Sequence, residues 1–197
     1  FLLLVPDPGP VARTGKMLGL HMDARTMLRI IAILLVANIS GGLIFNATTI
    51  SMPKVFDERL RALTDTGLGI GLLLSVVYAI AAFAQVLVGS LIDRYDLRSL
   101  LIPITLLQVP LLLLAGFLDG VPMLIAAVLM MLAVFGQVPL NDAIIGRYTA
   151  DEYRARVYSI RYVVSLGVAS LAVPLVALLH RTAGGFQNVF IVLCALA

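Results

Sequence analysis

The sequence predicts an all-α, polytopic membrane protein: a bundle of six helices, the last of them cut short. Three observations predict it. From Thr66 to Ile92 no side chain is charged, and at 1.5 Å rise per residue such a run reaches roughly 40 Å as a helix, more than the ~30 Å hydrocarbon core of a bilayer. The composition is 61% hydrophobic and 13% charged, with a mean hydropathy of +1.06; a soluble domain usually carries about twice that charged fraction. Uncharged apolar stretches of similar length also recur along the chain, parted by short charged segments.

In chain order, residues 1–29 form the first segment. Phe1 to Val5 is apolar but lacks a basic n-region and a small-residue cleavage site, so it reads as the tail of a helix begun upstream and not as a signal peptide. Pro6-Asp-Pro-Gly-Pro10 cannot continue a helix, and the stretch to Arg29 reads as an extended, solvated linker. Residues 30–197 then form the bundle, with spans at 30–50, 68–92, 99–118, 123–146 and 157–179 and an incomplete one at 186–197. The sequence reads as a piece cut within a helix at both ends.

The spans differ in polarity. On 30–50, Asn38, Gly42, Phe45, Asn46 and Thr49 share a face, and the Gly41-Gly42 pair marks either a close helix crossing or a hinge. The stretch Lys54 to Asp65 reads as a solvated cap. On 68–92, Gly71, Ser75, Tyr78, Ala82, Gln85 and Gly89 fall within one stripe. The small residues there suit a closely packed neighbour, whereas Tyr78 and Gln85 suit a cavity, because an amide left unsatisfied in hydrocarbon costs several kcal/mol. The 99–118 span holds only Thr105 and Gln108 as polar groups within its apolar body, with Pro103 and Pro110, and reads as peripheral and lipid-facing. On 123–146, Gln137 and Asn141 stack at i, i+4, Pro139 frees a carbonyl one turn earlier, and Asp142 is the sole acid inside any span. Asp142 reads either as a structural ion pair near Arg147 or as a proton or substrate group. On 157–179, Tyr158, Tyr162, Ser165 and Ala169 share a stripe, the tyrosines also fitting an interfacial aromatic belt.

Charge sets the orientation. One side collects Arg13, Lys16, Arg25, Arg29, Arg94, Arg98, Arg147, Arg154, Arg156 and Arg161; the other has Lys54, Arg59, Arg61 and Arg181, which accounts for all 14 basic residues. The richer side is expected to be cytoplasmic. Because the basic residues sit in these short connections and not in one stripe, the net charge of +3 does not point to nucleic acid. Cys194, the single cysteine, supports neither a disulfide framework nor a thiolate metal site within the chain. His21 and His180 have no in-span nucleophile or acid at a useful spacing, which argues against an intramembrane enzyme. No cofactor is expected.

The exit of the 68–92 span carries Gly89-Ser-Leu-Ile-Asp93-Arg94-Tyr-Asp96-Leu-Arg98. An anion at a helix C-terminus is disfavoured by the macrodipole, so Asp93 calls for a partner. Placed between the second and third spans of a six-span set, Gly-x-Leu-x-Asp-Arg-x-x-x-Arg resembles the loop motif of the major facilitator superfamily (MFS) of secondary transporters. The match rests on Gly89, Leu91, Asp93, Arg94 and Arg98; Asp96 and Leu97 replace the usual glycine and following basic residue. The stretch Arg147 to Arg156 is similar to the family's second basic loop.

The resemblance implies that the chain is the C-terminal half of such a transporter, helices seven to twelve, with an N-terminal half as partner. It implies alternating access of a small solute in a plasma membrane (the inner membrane of a bacterium), with a proton or sodium gradient as the coupling force. Carried onto these residues, it implies a substrate site among Asn38, Asn46, Tyr78, Gln85, Gln137, Asn141 and Ser165, a gating latch of Gly89, Asp93, Arg94 and Arg98, and Asp142 as the coupling candidate. The rival reading is a non-transporting membrane scaffold or channel subunit. No run of buried Arg or Lys points to an anionic solute, and no aromatic cluster marks a sugar site.

Overall fold

The computed structural model describes residues 24–197 apart from 62, 65, 150, 183 and 184. The expected helix tail and most of the proline-rich linker lie outside the described residues. The chain divides into two compact units, Phe1–Ile33 and Leu34–Ala197. The described part of the first is helical; the second holds the bundle. The helices are α1 (Ala24–Arg59), α2 (Gly67–Ile92), α3 (Leu97–Phe117), α4 (Gly120–Tyr148), α5 (Asp151–Thr182) and α6 (Phe186–Leu196), with no strand among the described residues.

Four of them, α2 to α5, are long and apolar enough to cross a membrane. Their exteriors are apolar: Leu68, Phe83, Val86 and Val163 are 70–76% exposed, an arrangement that water would penalise and that hydrocarbon or a neighbouring membrane helix would not. The chain is an integral membrane protein. Within the bundle α4 is the central helix, with 44% of its apolar window buried against 17% for α2 and α5. It packs on α2 and α3, and α3 packs in turn on α6. At Gly136 a Cβ would come within 3.2 Å of the Val88 side chain, so a larger residue there would press α4 against α2. Gly120 opens α4 with φ +61, a left-handed conformation that costs glycine nothing.

The helix ends are tied by side chains from their neighbours. Thr66 caps α2, its hydroxyl accepting from the Gly69 N–H at 3.1 Å. At the other end of α2, Arg147 of α4 donates to the Ile92 carbonyl at 2.8 Å. Arg59, the last residue of α1, donates to the carbonyls of Ala115, Gly116 and Leu118 at 2.8–3.2 Å. Both arginines place a cation on carbonyls that a helix end leaves without intrahelical partners.

Three expectations are corrected here. The Lys54 to Asp65 stretch is not wholly a solvated cap: α1 runs on through Pro53 to Arg59, and Met52, Val55, Phe56 and Leu60 are fully buried on the face that their i, i+3, i+4 spacing creates. The small-residue stripe of α2 is not its packed face. Val77, Ala81, Ala84, Val88 and Ile92 are buried instead, while Gly71, Ser75 and Ala82 are exposed. Nor is α3 simply lipid-facing. Ile102, Leu106, Leu107 and Phe117 are exposed, but Gln108 is 1% exposed on the opposite side, facing α4.

Candidate functional site

Helical spacing on α1, α4 and α5 aims three stripes at one cavity of about 330 Å³. From α1 come Asn38, Gly41, Gly42, Phe45 and Asn46; from α4 come Val134, Gln137, Val138 and Asn141; from α5 come Arg161, Tyr162, Ser165, Leu166 and Ala169. Each set repeats at three and four residues, one face of a helix. The cavity is graded along its length. Asn38, Asn141 and Arg161 lie toward the end of the bundle that carries Asp93, whereas Phe45, Val134 and Ala169 lie about two turns away, on the order of 11 Å by helical rise.

At the polar end a hydrogen-bonded chain links three helices. The Arg161 guanidinium donates through Nη1 to the Asp142 carboxylate and through Nε to Asn38 Oδ1 at 3.1 Å, and Asn38 Nδ2 makes a long 3.5 Å bond to Ser165 Oγ. Tyr158 supports the same place by donating to the Asp142 backbone carbonyl at 3.1 Å. Among the described residues Arg161 is the one charged side chain in the cavity wall; its side chain is 16% exposed and that of Asp142 is 49% exposed. Asn46 spends its Nδ2 on the Gly42 carbonyl of its own helix at 2.8 Å. The amide of Asn141 has no partner among the described residues and faces the space that Gly41 leaves open, where a Cβ would stand 3.5 Å from its Nδ2. That spacing, with 3.7 Å from Gly42 to Val168, is ordinary van der Waals contact, so neither glycine is required by a tight crossing.

At the apolar end Phe45 stands 5.0 Å from Phe135, which stacks on Tyr78 at 6.1 Å. This aromatic cluster was not legible in the sequence because its members come from three helices.

The structure brings Asn38, Asn46, Gln137, Asn141 and Ser165 to the cavity and leaves Tyr78 and Gln85 outside its lining. Tyr78 has a different employment. Pro53 has no N–H to give to the Thr49 carbonyl four residues earlier, and the Tyr78 hydroxyl donates to that carbonyl at 2.7 Å. Gln137, although in the wall, turns its Nε2 to Gln108 Oε1 and to Thr105 Oγ1 of α3. Asp142 is paired, but with Arg161 and not with Arg147. Sequence reasoning counted Arg161 among loop cations. The signal that could have found it is its place four residues before Ser165, on the polar stripe of α5.

The model of the Major Facilitator Superfamily matches residues 31–197. The chain belongs to that family. Members of the Major Facilitator Superfamily are transporters, not enzymes, that handle small solutes in a lipid membrane. No curated protein matches the chain. On this Major Facilitator Superfamily chain the loop motif falls between α2 and α3. Asp93, the C-cap of α2, and Arg94 and Arg98 are exposed, form no ion pair among the described residues, and Gly89 looks onto open space.

Proposed function

We propose that this chain is the second six-helix half of a secondary transporter, and that its α1–α4–α5 cavity is this half's share of a central solute site worked by alternating access. The observation that carries the reading is the convergence of hydrogen-bonding side chains from three helices on one cavity, in a protein whose outer faces are apolar. In hydrocarbon such groups are costly unless they meet one another, water or a ligand. Asn38, Asn46, Gln137, Asn141 and Ser165 supply solute contacts, and Asn141 is the least committed of them. The segment that precedes α1 is the connection from an N-terminal half of the same transporter. The side bearing Asp93, Arg147 and Arg161 faces the cytoplasm, and the membrane is the plasma membrane. Asp93, Arg94 and Arg98, being exposed and without an ion pair among the described residues, are latch residues whose partners belong to the other half. Asp142 remains the candidate for coupling to a proton or sodium ion.

A ligand-stabilisation screen on the complete purified transporter tests this. A solute present at about one hundred times its Kd stabilises the folded protein by about 2.7 kcal/mol. That shift is expected to disappear in Asn141→Leu and to persist in Gln85→Leu. In the same series Asp93→Asn should keep the shift while slowing uptake into vesicles. Equal shifts in the Asn141 and Gln85 variants would place the solute elsewhere, and unchanged uptake in Asp93→Asn would remove the latch.

A further inference from the structure

Resting on that reading, we propose that the solute is a small carboxylate with an apolar body, held by Arg161, and that it exchanges with Asp142 for the same edge of the guanidinium. Among the described residues the cavity wall offers one cation and no acid. Asp142 reaches Arg161 from outside the lining, with half of its side chain exposed. Arg161 is oriented by its Nε bond to Asn38, so the fork formed by Nη1 and Nη2 is presented in a fixed direction. Nη1 is the nitrogen that Asp142 holds. A planar guanidinium binds a carboxylate through two parallel N–H bonds, so a solute carboxylate on the Nη1–Nη2 edge competes with Asp142 for Nη1. Displacement is possible without stranding a buried charge, because the Asp142 side chain is half exposed and can be solvated.

The rest of the cavity describes the rest of the molecule. Beyond Arg161 and Asn141 the wall passes to Val138, Leu166, Val134 and Phe45, with Phe135 behind, and the two amides on that stretch, Gln137 and Asn46, turn their Nε2 and Nδ2 to Gln108 and to the Gly42 carbonyl. This gradient from guanidinium to aromatic ring over about 11 Å fits a carboxylate at one end of an aliphatic or aromatic body. It does not fit a cation, which Arg161 repels.

The test is thermal stabilisation of the complete purified transporter by acetate, butyrate, hexanoate, octanoate and benzoate, each against its methyl ester. At least one of the longer carboxylates should stabilise more than acetate and more than its own ester. Arg161→Gln should abolish that shift, while Asp142→Asn, which removes the competitor, should tighten carboxylate binding by at least about tenfold, the worth of one charge-assisted hydrogen bond. Should Arg161→Gln fail to fold with Asp142 left unpaired, the Arg161→Gln/Asp142→Asn double variant is neutral at both positions and should likewise lose the shift. Esters that match their acids, a shift that survives the loss of Arg161, or weaker binding in Asp142→Asn overturns the proposal. Failure here with Asn38 and Ser165 still reachable from water in both states of the transporter leaves the solute-site reading intact and removes only the carboxylate. Sealing of both positions removes the site reading as well.

Discussion

Pro53 and Tyr78 show how one residue's chemistry determines another's in lipid. A proline inside a helix withholds one N–H, and water is not at hand to satisfy the carbonyl left behind. Here the Thr49 carbonyl is taken by the Tyr78 hydroxyl at 2.7 Å. Tyr78→Phe should therefore cost about 1–3 kcal/mol in thermal unfolding of the detergent-solubilised protein, yet close to nothing in a Pro53→Ala background, where the helix recovers its own bond. Equal costs in the two backgrounds would show that the bond contributes no stability. The sequence shows that Tyr78 needs a partner but not which one: a hydroxyl at a span's mid-height can meet a solute, a water or a neighbour's carbonyl, and only the meeting of α1 with α2 decides. The role of Arg161 is hidden in the sequence for a similar reason. Near a span end, a cation is at home in a loop or snorkelling to the interface, and its pairing with Asp142, 19 residues earlier on another helix, is visible only once α4 and α5 stand together.

Among the elements, α3 departs furthest from what its sequence suggests. Its apolar body and two prolines led to a lipid-facing reading, which its outward residues Ile102, Leu106 and Phe117 satisfy. A helix that touches lipid on one side still packs on the other, however, and there Thr105 and Gln108 meet Gln137 of α4. Gln108 Nε2 is buried without a partner among the described residues, so the network is incompletely satisfied there. Removing one member of such a pair strands the other, whereas replacing both removes the desolvation cost along with the bond. Gln108→Leu and Gln137→Leu are each expected to lower stability by about 1–3 kcal/mol, and the double variant by clearly less than their sum. Additive losses in thermal melts would mean that the two amides do not act together. The span positions themselves were legible because charge-free length is a strong signal. The continuation of α1 to Arg59 was not, since charged residues on its outer face hide the buried Met52, Val55, Phe56 and Leu60 on its inner one.

Across the whole molecule, lipid outside and a polar seam inside make one physical pattern. The apolar exteriors of α2 and α5 suit a bilayer or another membrane helix, so the bundle's polar groups become the informative ones. Five of the seven solute-contact residues expected from the sequence reach one cavity, because an amide in a span must turn away from lipid and helical periodicity says which way that is. What periodicity leaves open is whether such a face meets a cavity or another helix, which is why Tyr78 and Gln137 had to be located by structure. The reading that unites these facts is that the cavity between α1, α4 and α5 is alternately open to water on either side of the membrane. It is tested most directly by cysteine labelling of the complete transporter in sealed vesicles, with Asn38→Cys and Ser165→Cys introduced into a background in which Cys194 is replaced. The account predicts that a membrane-impermeant maleimide reaches both positions from each side in turn, with solute slowing the reaction, while Val86→Cys on the lipid face stays unreactive. Asn38 and Ser165 sealed from both sides in every condition would contradict it.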